Sequence, residues 1–143
     1  MKISMGCDHG AYNLKETLKK YLTDNGYEIE DCGTYSLDSC DYPDFGRAAA
    51  EKVASGECCK GIVLCTTGIG ISITANKVKG IRCALCYNEK AAEMTRLHND
   101  ANVLALGASF VTDDEAIAIT DRFLNTEFSN EERHLRRIKK IES

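Results

Sequence analysis

The sequence predicts an α/β protein with a five-stranded parallel sheet and helices on both faces. Two observations predict it. Strand-like and helix-like segments alternate along the whole chain, and one segment, Gly61 to Cys65, is an unbroken apolar run. Such a run is what a central parallel strand, buried on both faces, requires. Regular alternation of strand and helix leads to a parallel sheet covered on either side. The length of 143 residues fits one compact domain, 1–143.

Each element has its own signal. Ile3 to Cys7 alternates with period two and ends in the turn Asp8-His9-Gly10. From Asn13 the period becomes helical, with Leu14, Leu18, Tyr21 and Leu22 on one face. Asn13 and Glu16 have the spacing of a capping box, and Asn25-Gly26 ends that helix. Tyr27 to Asp31 is a second strand. Residues 33–44 read as a polar loop containing the only proline, Pro43. A helix follows through Phe45, Ala49 and Val53. After Gly61 to Cys65 comes a glycine-containing turn, then a helix over Ile71 to Lys77. Ile81 to Tyr87 is strand-like, Asn88 to Leu97 helical, and Asn102 to Leu106 a fifth strand. Thr112 to Glu115 is a capping box opening a helix that buries Ile117, Phe123 and Leu124. Ser129 to Glu132 reads as another, opening a basic C-terminal helix over 129–142.

Composition narrows the function. A net charge of −4 argues against nucleic acid as a partner. It also means that an anionic substrate must be held by local positive charge. No apolar run approaches the ~20 residues of a membrane span, so no membrane partner is expected. The first residues lack signal-peptide anatomy, and a cytoplasmic address is expected. Eight cysteines without a secretory signal do not make a disulfide framework. Cys83 and Cys86 would face opposite sides of a strand. Buried apolar thiols are the expectation, with no metal.

In parallel sheets, ligands bind beyond the carboxyl ends of the strands. That rule selects Asp8-His9, the loop Cys65-Thr66-Thr67-Gly68-Ile69-Gly70, and the segments after the last two strands. The loop leads into a helix whose first amides are unpaired, so it can hold a phosphate or a developing oxyanion. It lacks the Lys-Ser/Thr of a P-loop and the third glycine of a dinucleotide fingerprint. As a thiolate, Cys65 could act there as base or nucleophile; otherwise it is a small buried hydrophobe. The three histidines, His9, His98 and His134, all fall at loops or helix ends, where a neutral-pH acid or base is useful. Arg133 and Arg137 share a helical face and could grip a phosphate, or simply be solvated.

Taken in order, Gly6-Cys7-Asp8-His9-Gly10, Asp41-Tyr42-Pro43, Cys65 to Ser72, Ala75-Asn76-Lys77, His98 to Val103 and Arg133-His134 resemble the type B ribose-5-phosphate isomerase family. That family also includes galactose-6-phosphate and allose-6-phosphate isomerases. The resemblance implies a Rossmann-like α/β/α sandwich acting as a homodimer or a tetramer of dimers. It implies active sites between subunits, the C-terminal helix at or near the interface, and no metal or organic cofactor. It implies aldose–ketose interconversion of a small phosphorylated sugar through a cis-enediolate. Cys65 would move the proton, and the amides of Thr66, Thr67, Gly68, Ile69 and Gly70 would stabilise the enediolate. His98 would help open the ring, with Asp8 and Thr67 nearby. His9, Arg133 and Arg137 would hold the phosphate, and Asn99 and Tyr42 the sugar hydroxyls. One branch of the family uses a glutamate base where this chain has Ile71, so the cysteine route is the one implied here.

Three positions depart from the family pattern. Thr66 replaces a glycine, and a β-branched residue resists positive φ, so a shifted loop is expected. Ser109 replaces an arginine that contacts phosphate in many members. Glu131-Glu132 replaces a Gly-Gly pair before Arg133-His134. The physiological sugar therefore stays open among ribose 5-phosphate, allose 6-phosphate, galactose 6-phosphate and a free rare aldose. A non-catalytic sugar-phosphate sensor and a thiol-redox protein are the readings from other classes.

Overall fold

The computed structural model describes all of residues 1–143. Strands β1 (Lys2–Cys7), β2 (Glu28–Asp31), β3 (Lys60–Cys65), β4 (Cys83–Leu85) and β5 (Val103–Gly107) form one sheet in the order β2-β1-β3-β5-β4. Every neighbouring pair is parallel. The helices are α1 (Tyr12–Asp24), α2 (Tyr42–Ala54), α3 (Ile69–Asn76), α4 (Glu89–Asn99), α5 (Asp113–Asn125) and α6 (Glu132–Glu142), with one 3₁₀ turn over His9–Ala11. This is the Rossmann-like α/β/α sandwich expected.

Side-chain alternation along the strands makes two cores. Ile62 and Leu64 join Ile3, Met5, Leu18, Leu104 and Phe123 in the layer of α1 and α5. Val63 and Cys65 join Ala49, Ile71, Ala75 and Val103 in the layer of α2 and α3. The apolar run of β3 is thus buried on both faces. Each fully buried Leu, Ile or Phe contributes about 1.5–3 kcal/mol relative to exposure. Cys83 packs on the second core and Cys86 in the first, so the two thiols face opposite layers as the strand period requires. All eight cysteines are free. Burial pushes the Cys7 thiol up to about 12 and the Cys86 thiol up to about 11. No helix is long and apolar enough to cross a membrane.

Helix starts separate local from distant control. Thr112 Oγ1 accepts from the Glu115 amide at 3.1 Å, and Glu115 Oε1 accepts from the Thr112 amide at 3.0 Å. The box predicted there is formed. The two others are not. α1 starts at Tyr12 with Ala11 as its cap residue, because the 3₁₀ turn runs straight into it and leaves Asn13 inside the helix. Ser129 Oγ donates to the Leu97 carbonyl at 2.7 Å, and α6 begins later, at Glu132, without a side-chain cap. Pro43 lies in the first turn of α2 rather than in the preceding loop, where its missing N–H costs nothing. α3 starts at Ile69, two residues earlier than its period suggested, because Gly68 at φ 80° turns the chain directly into it. β4 is shorter than its apolar run.

Candidate active site

β1 and β3 are adjacent, and the chain leaves them toward opposite edges of the sheet, which makes the crevice beyond their carboxyl ends the switch point. The Asp8 amide donates to the Leu64 carbonyl at 3.3 Å, joining the two loops. Cys65, the last residue of β3, is buried, and the Gly68 amide donates to its Sγ at 3.1 Å. An amide aimed at sulfur is a contact that a thiolate can use. Thr67 Oγ1 accepts from the Ile69 amide at 3.2 Å. The left-handed residue of this loop is Gly68, and Thr66 has no positive φ. The β-branched side chain therefore sits on ordinary backbone, with the left-handed turn made two residues later. The segment after β5 braces the loop: Ser109 donates its amide to the Thr66 carbonyl at 2.9 Å, and Ala108 to that of Cys65 at 3.0 Å. Tyr87 Oη adds a bond to the Thr67 carbonyl at 3.1 Å.

Three more predicted residues meet this loop. Asp8 is 6% exposed, and its Oδ1 is buried without a hydrogen-bond partner. A buried acceptor left unpaired is costly, and a ligand hydroxyl would satisfy it. His9 Nδ1 accepts from the Cys40 amide at 3.2 Å, so the neutral ring carries its proton on Nε2. Tyr42 lies over the start of α3, where a Cβ on Gly70 would stand 2.6 Å from the Tyr42 hydroxyl.

Beneath them is a buried ion pair. Lys15 is fully buried and donates to Asp31 Oδ1 and to the Thr34 carbonyl, each at 2.6 Å. Burial alone would raise the Asp31 carboxyl. Hydrogen bonds from Lys15, the Gly33 amide and Lys19 outweigh it and hold the group below its usual range. Gly33 and Thr34 exchange backbone bonds with Cys7 at 2.7 Å. Lys15 thus ties the loop after β2 to the end of β1, next to Asp8.

The remaining predicted residues lie elsewhere. α4 runs back across the sheet, so His98 and Asn99, its last residues, are at the end where the strands begin. There the Asn102 carbonyl accepts from Gly61, and Arg82 donates to the Asn99 carbonyl. His134, from α6, is 6% exposed and stacks on His98 with ring centroids 4.4 Å apart. Burial lowers the His134 pKa, with His98, Arg133 and Arg137 adding to the effect. Glu131 Oε2 is 3.3 Å from His134 Nε2, yet the contact lacks hydrogen-bond geometry and Nε2 has no partner. Arg133 pairs only with Glu131, at 3.0 Å, and Arg137 makes no ion pair. The length of β5 separates this group from Cys65, about 15 Å at the strand rise. The largest groove of the chain, about 650 Å³, is at this same end, lined by Arg82, Asn99 and Ile141 among others.

The carboxyl end therefore gathers Cys65, Asp8, His9, Tyr42 and Thr66 to Gly70. The amino end gathers His98, Asn99, Arg133 and Arg137. Sequence reasoning missed Tyr87, Lys15 and the burial of His134. Lys15 carried a signal, as a charge between Leu14 and Leu18 on an apolar face.

A glycine-containing loop at a helix start beside a buried thiol, at the switch point of a parallel sheet, is the arrangement in which α/β enzymes bind anionic ligands. The chain belongs to the Ribose/Galactose Isomerase family, whose model it matches over residues 3–141. It is 41% identical to ribose-5-phosphate isomerase B of Escherichia coli, covering 98% of this chain and 93% of that one. It is 44% identical to the galactose-6-phosphate isomerase subunit LacB of Clostridium acetobutylicum, covering 90% of this chain and 74% of that one. Two solved structures are similar throughout. Ribose-5-phosphate isomerase B of Clostridium thermocellum aligns with TM-score 0.98 at 54% identity, over 99% of this chain and 95% of that one. The enzyme of Mycoplasma genitalium, with bound ribulose-5-phosphate, aligns with TM-score 0.94 at 41% identity, over 99% and 93%. The chain is an aldose–ketose isomerase acting on a sugar phosphate.

Proposed function

We propose that this chain interconverts ribose 5-phosphate and ribulose 5-phosphate through a cis-enediolate, with Cys65 as the base. The carrying observation is Cys65 Sγ at the strand end, held by the Gly68 amide at 3.1 Å. With the aldose open, the thiolate takes the C2 proton and becomes a thiol. The electron pair forms the C1–C2 double bond, and the carbonyl oxygen becomes an enediolate oxygen, received by the loop amides that Cys65 Sγ and Thr67 Oγ1 do not already engage, those of Thr66, Thr67 and Gly70. The thiol then returns the proton to C1, and the hydroxyl proton passes between O2 and O1. Asp8, with its orphan oxygen, and Thr67 bind hydroxyls beside the reacting carbons. Ile71 is fully buried and apolar, so no side chain there competes for the proton.

His98, Asn99, Arg133 and Arg137 reach the loop only from a second copy of the chain. His98 then opens the ring, Asn99 and Tyr42 hold hydroxyls, and the arginines join His9 on the phosphate. Uncovered apolar residues support this pairing: Ile69 and Ile73 on α3, Leu135 and Ile141 on α6. In this reading the domain is 1–143, and its C-terminal helix lies at the interface. The relatives' names support ribose 5-phosphate, and Ser109 keeps allose 6-phosphate and galactose 6-phosphate in the test. Turnover of Cys65→Ala is expected to fall by about a thousandfold or more, given the 10²–10⁴-fold worth of general base catalysis. Full activity in that variant would refute the mechanism. A panel of these sugar phosphates and the free sugars reads the substrate.

A further inference from the structure

Gly10 and Thr66 face each other across the crevice between the turn after β1 and the loop after β3. A Cβ on Gly10 would overlap Thr66 Oγ1 and stand 3.5 Å from Thr66 Cβ and 3.4 Å from Asp8 Oδ1. Gly10 has no positive φ, so its backbone would accept an alanine. The Thr66 side chain is what excludes one. Thr66 is exposed to the crevice, and its hydroxyl makes no hydrogen bond within the chain. The same point beside Gly10 is flanked by Asp8 Oδ1, the buried oxygen without a partner.

The position matters because of its neighbours. Gly10 follows His9, proposed above to hold the phosphate, and Thr66 follows Cys65, the proposed base. A sugar phosphate bridging these two points must pass the Gly10–Thr66 contact. A six-carbon substrate has one more CHOH unit to place along that stretch, and with both ends held the extra unit has to bulge sideways. Compared with glycine, threonine fills that space with a methyl and a hydroxyl.

We propose that Thr66, seated over Gly10, is a specificity-determining residue that admits five-carbon sugar phosphates and rejects six-carbon ones. The inference rests on the isomerase reading of the preceding subsection. Its test compares kcat/KM for ribose 5-phosphate and allose 6-phosphate in the parent, Thr66→Gly, Thr66→Ala, Gly10→Ala and the double variant Gly10→Ala/Thr66→Gly. Thr66→Gly is expected to raise the hexose-to-pentose ratio about tenfold or more, the worth of one added group in a fitted pocket. Thr66→Ala, which keeps some side chain against Gly10, shifts it the same way by less. Gly10→Ala lowers both activity and Tm, and the double variant recovers both while keeping the Thr66→Gly ratio. A ratio within twofold of the parent in Thr66→Gly overturns the inference, as does a Gly10→Ala enzyme with parental activity and Tm. Calorimetric affinities for the same two sugars, measured on the parent and Thr66→Gly, are expected to move in parallel. A parent that binds both sugars without turnover defeats the isomerase reading, while the affinity ratio still decides the role of Thr66.

Discussion

The two ends of the sheet are built differently. At the carboxyl end the candidate site residues are positioned by backbone: the amide of Gly68 on Cys65, the Cys40 amide on His9, the Ser109 amide on the Thr66 carbonyl. At the amino end they are side chains on α4 and α6, two of them arginines with one carboxylate between them. The first end can stabilise a small developing charge in a fixed place. The second carries exposed, full positive charge and a stacked histidine pair. A phosphorylated substrate needs both, and one copy of the chain keeps them a strand's length apart. In the proposed reaction one copy would supply the base, and a second copy the ring-opening histidine and the phosphate-binding arginines.

The sharpest way to break that comparison is subunit complementation. Cys65→Ala and His98→Ala chains are each expected to be inactive alone. Mixed and allowed to exchange, they should recover about a quarter of parental activity if a two-fold dimer shares its sites, since half the dimers are hybrid with one intact site each. No recovery in demonstrated hybrids would place both residues of each site in one chain.

A second test loosens the carboxyl end alone. Lys15→Met removes the buried ammonium that ties Asp31 and the Thr34 carbonyl to the end of β1. The expected loss is about 3 kcal/mol, as for other broken buried pairs, read from urea denaturation. KM for the sugar phosphate should rise, because His9 and Asp8 are next to the loosened loop.

The smallest effect belongs to the amino end. Burial lowers the His134 pKa, so the unfolded chain takes up its proton first as pH falls. His134 thus makes no demand on stability above its unfolded value of about 6.5. Its penalty grows as pH drops from there through the lower folded value. Tm is expected to decline over that window, and His134→Gln to flatten the decline. An unchanged slope would remove His134 as its source.

Much of this was legible because it is local. The Thr112 box closes over four residues, and the Gly61 to Cys65 run announces a central strand by itself. Asn13 and Ser129 had the same spacing but lost to neighbours that spacing does not show, a 3₁₀ turn in one case and the Leu97 carbonyl in the other. The loop around Cys65 was legible as a candidate site. Its left-handed residue was not, since either glycine or a strained Thr66 could have supplied the turn. The separation of His98 and Arg133 from Cys65 follows from helices running back along a parallel sheet. The stacking of His98 on His134 depends on how α6 docks, which no periodicity records.

The pairing of β1 with β3, and of β3 with β5, joins distant stretches of chain: Ile3 lies beside Lys60, and Gly61 beside Val103. Non-local pairings of this kind form slowly compared with single helices. During synthesis, the crevice cannot exist when β1 emerges, nor while β3 lacks its far neighbour. Asp8 and Cys65 come together only once β3 has paired with β1, and the loop gains its brace from Ala108 and Ser109 only after β5 has followed, so the Cys65 thiol acquires its full setting late in synthesis.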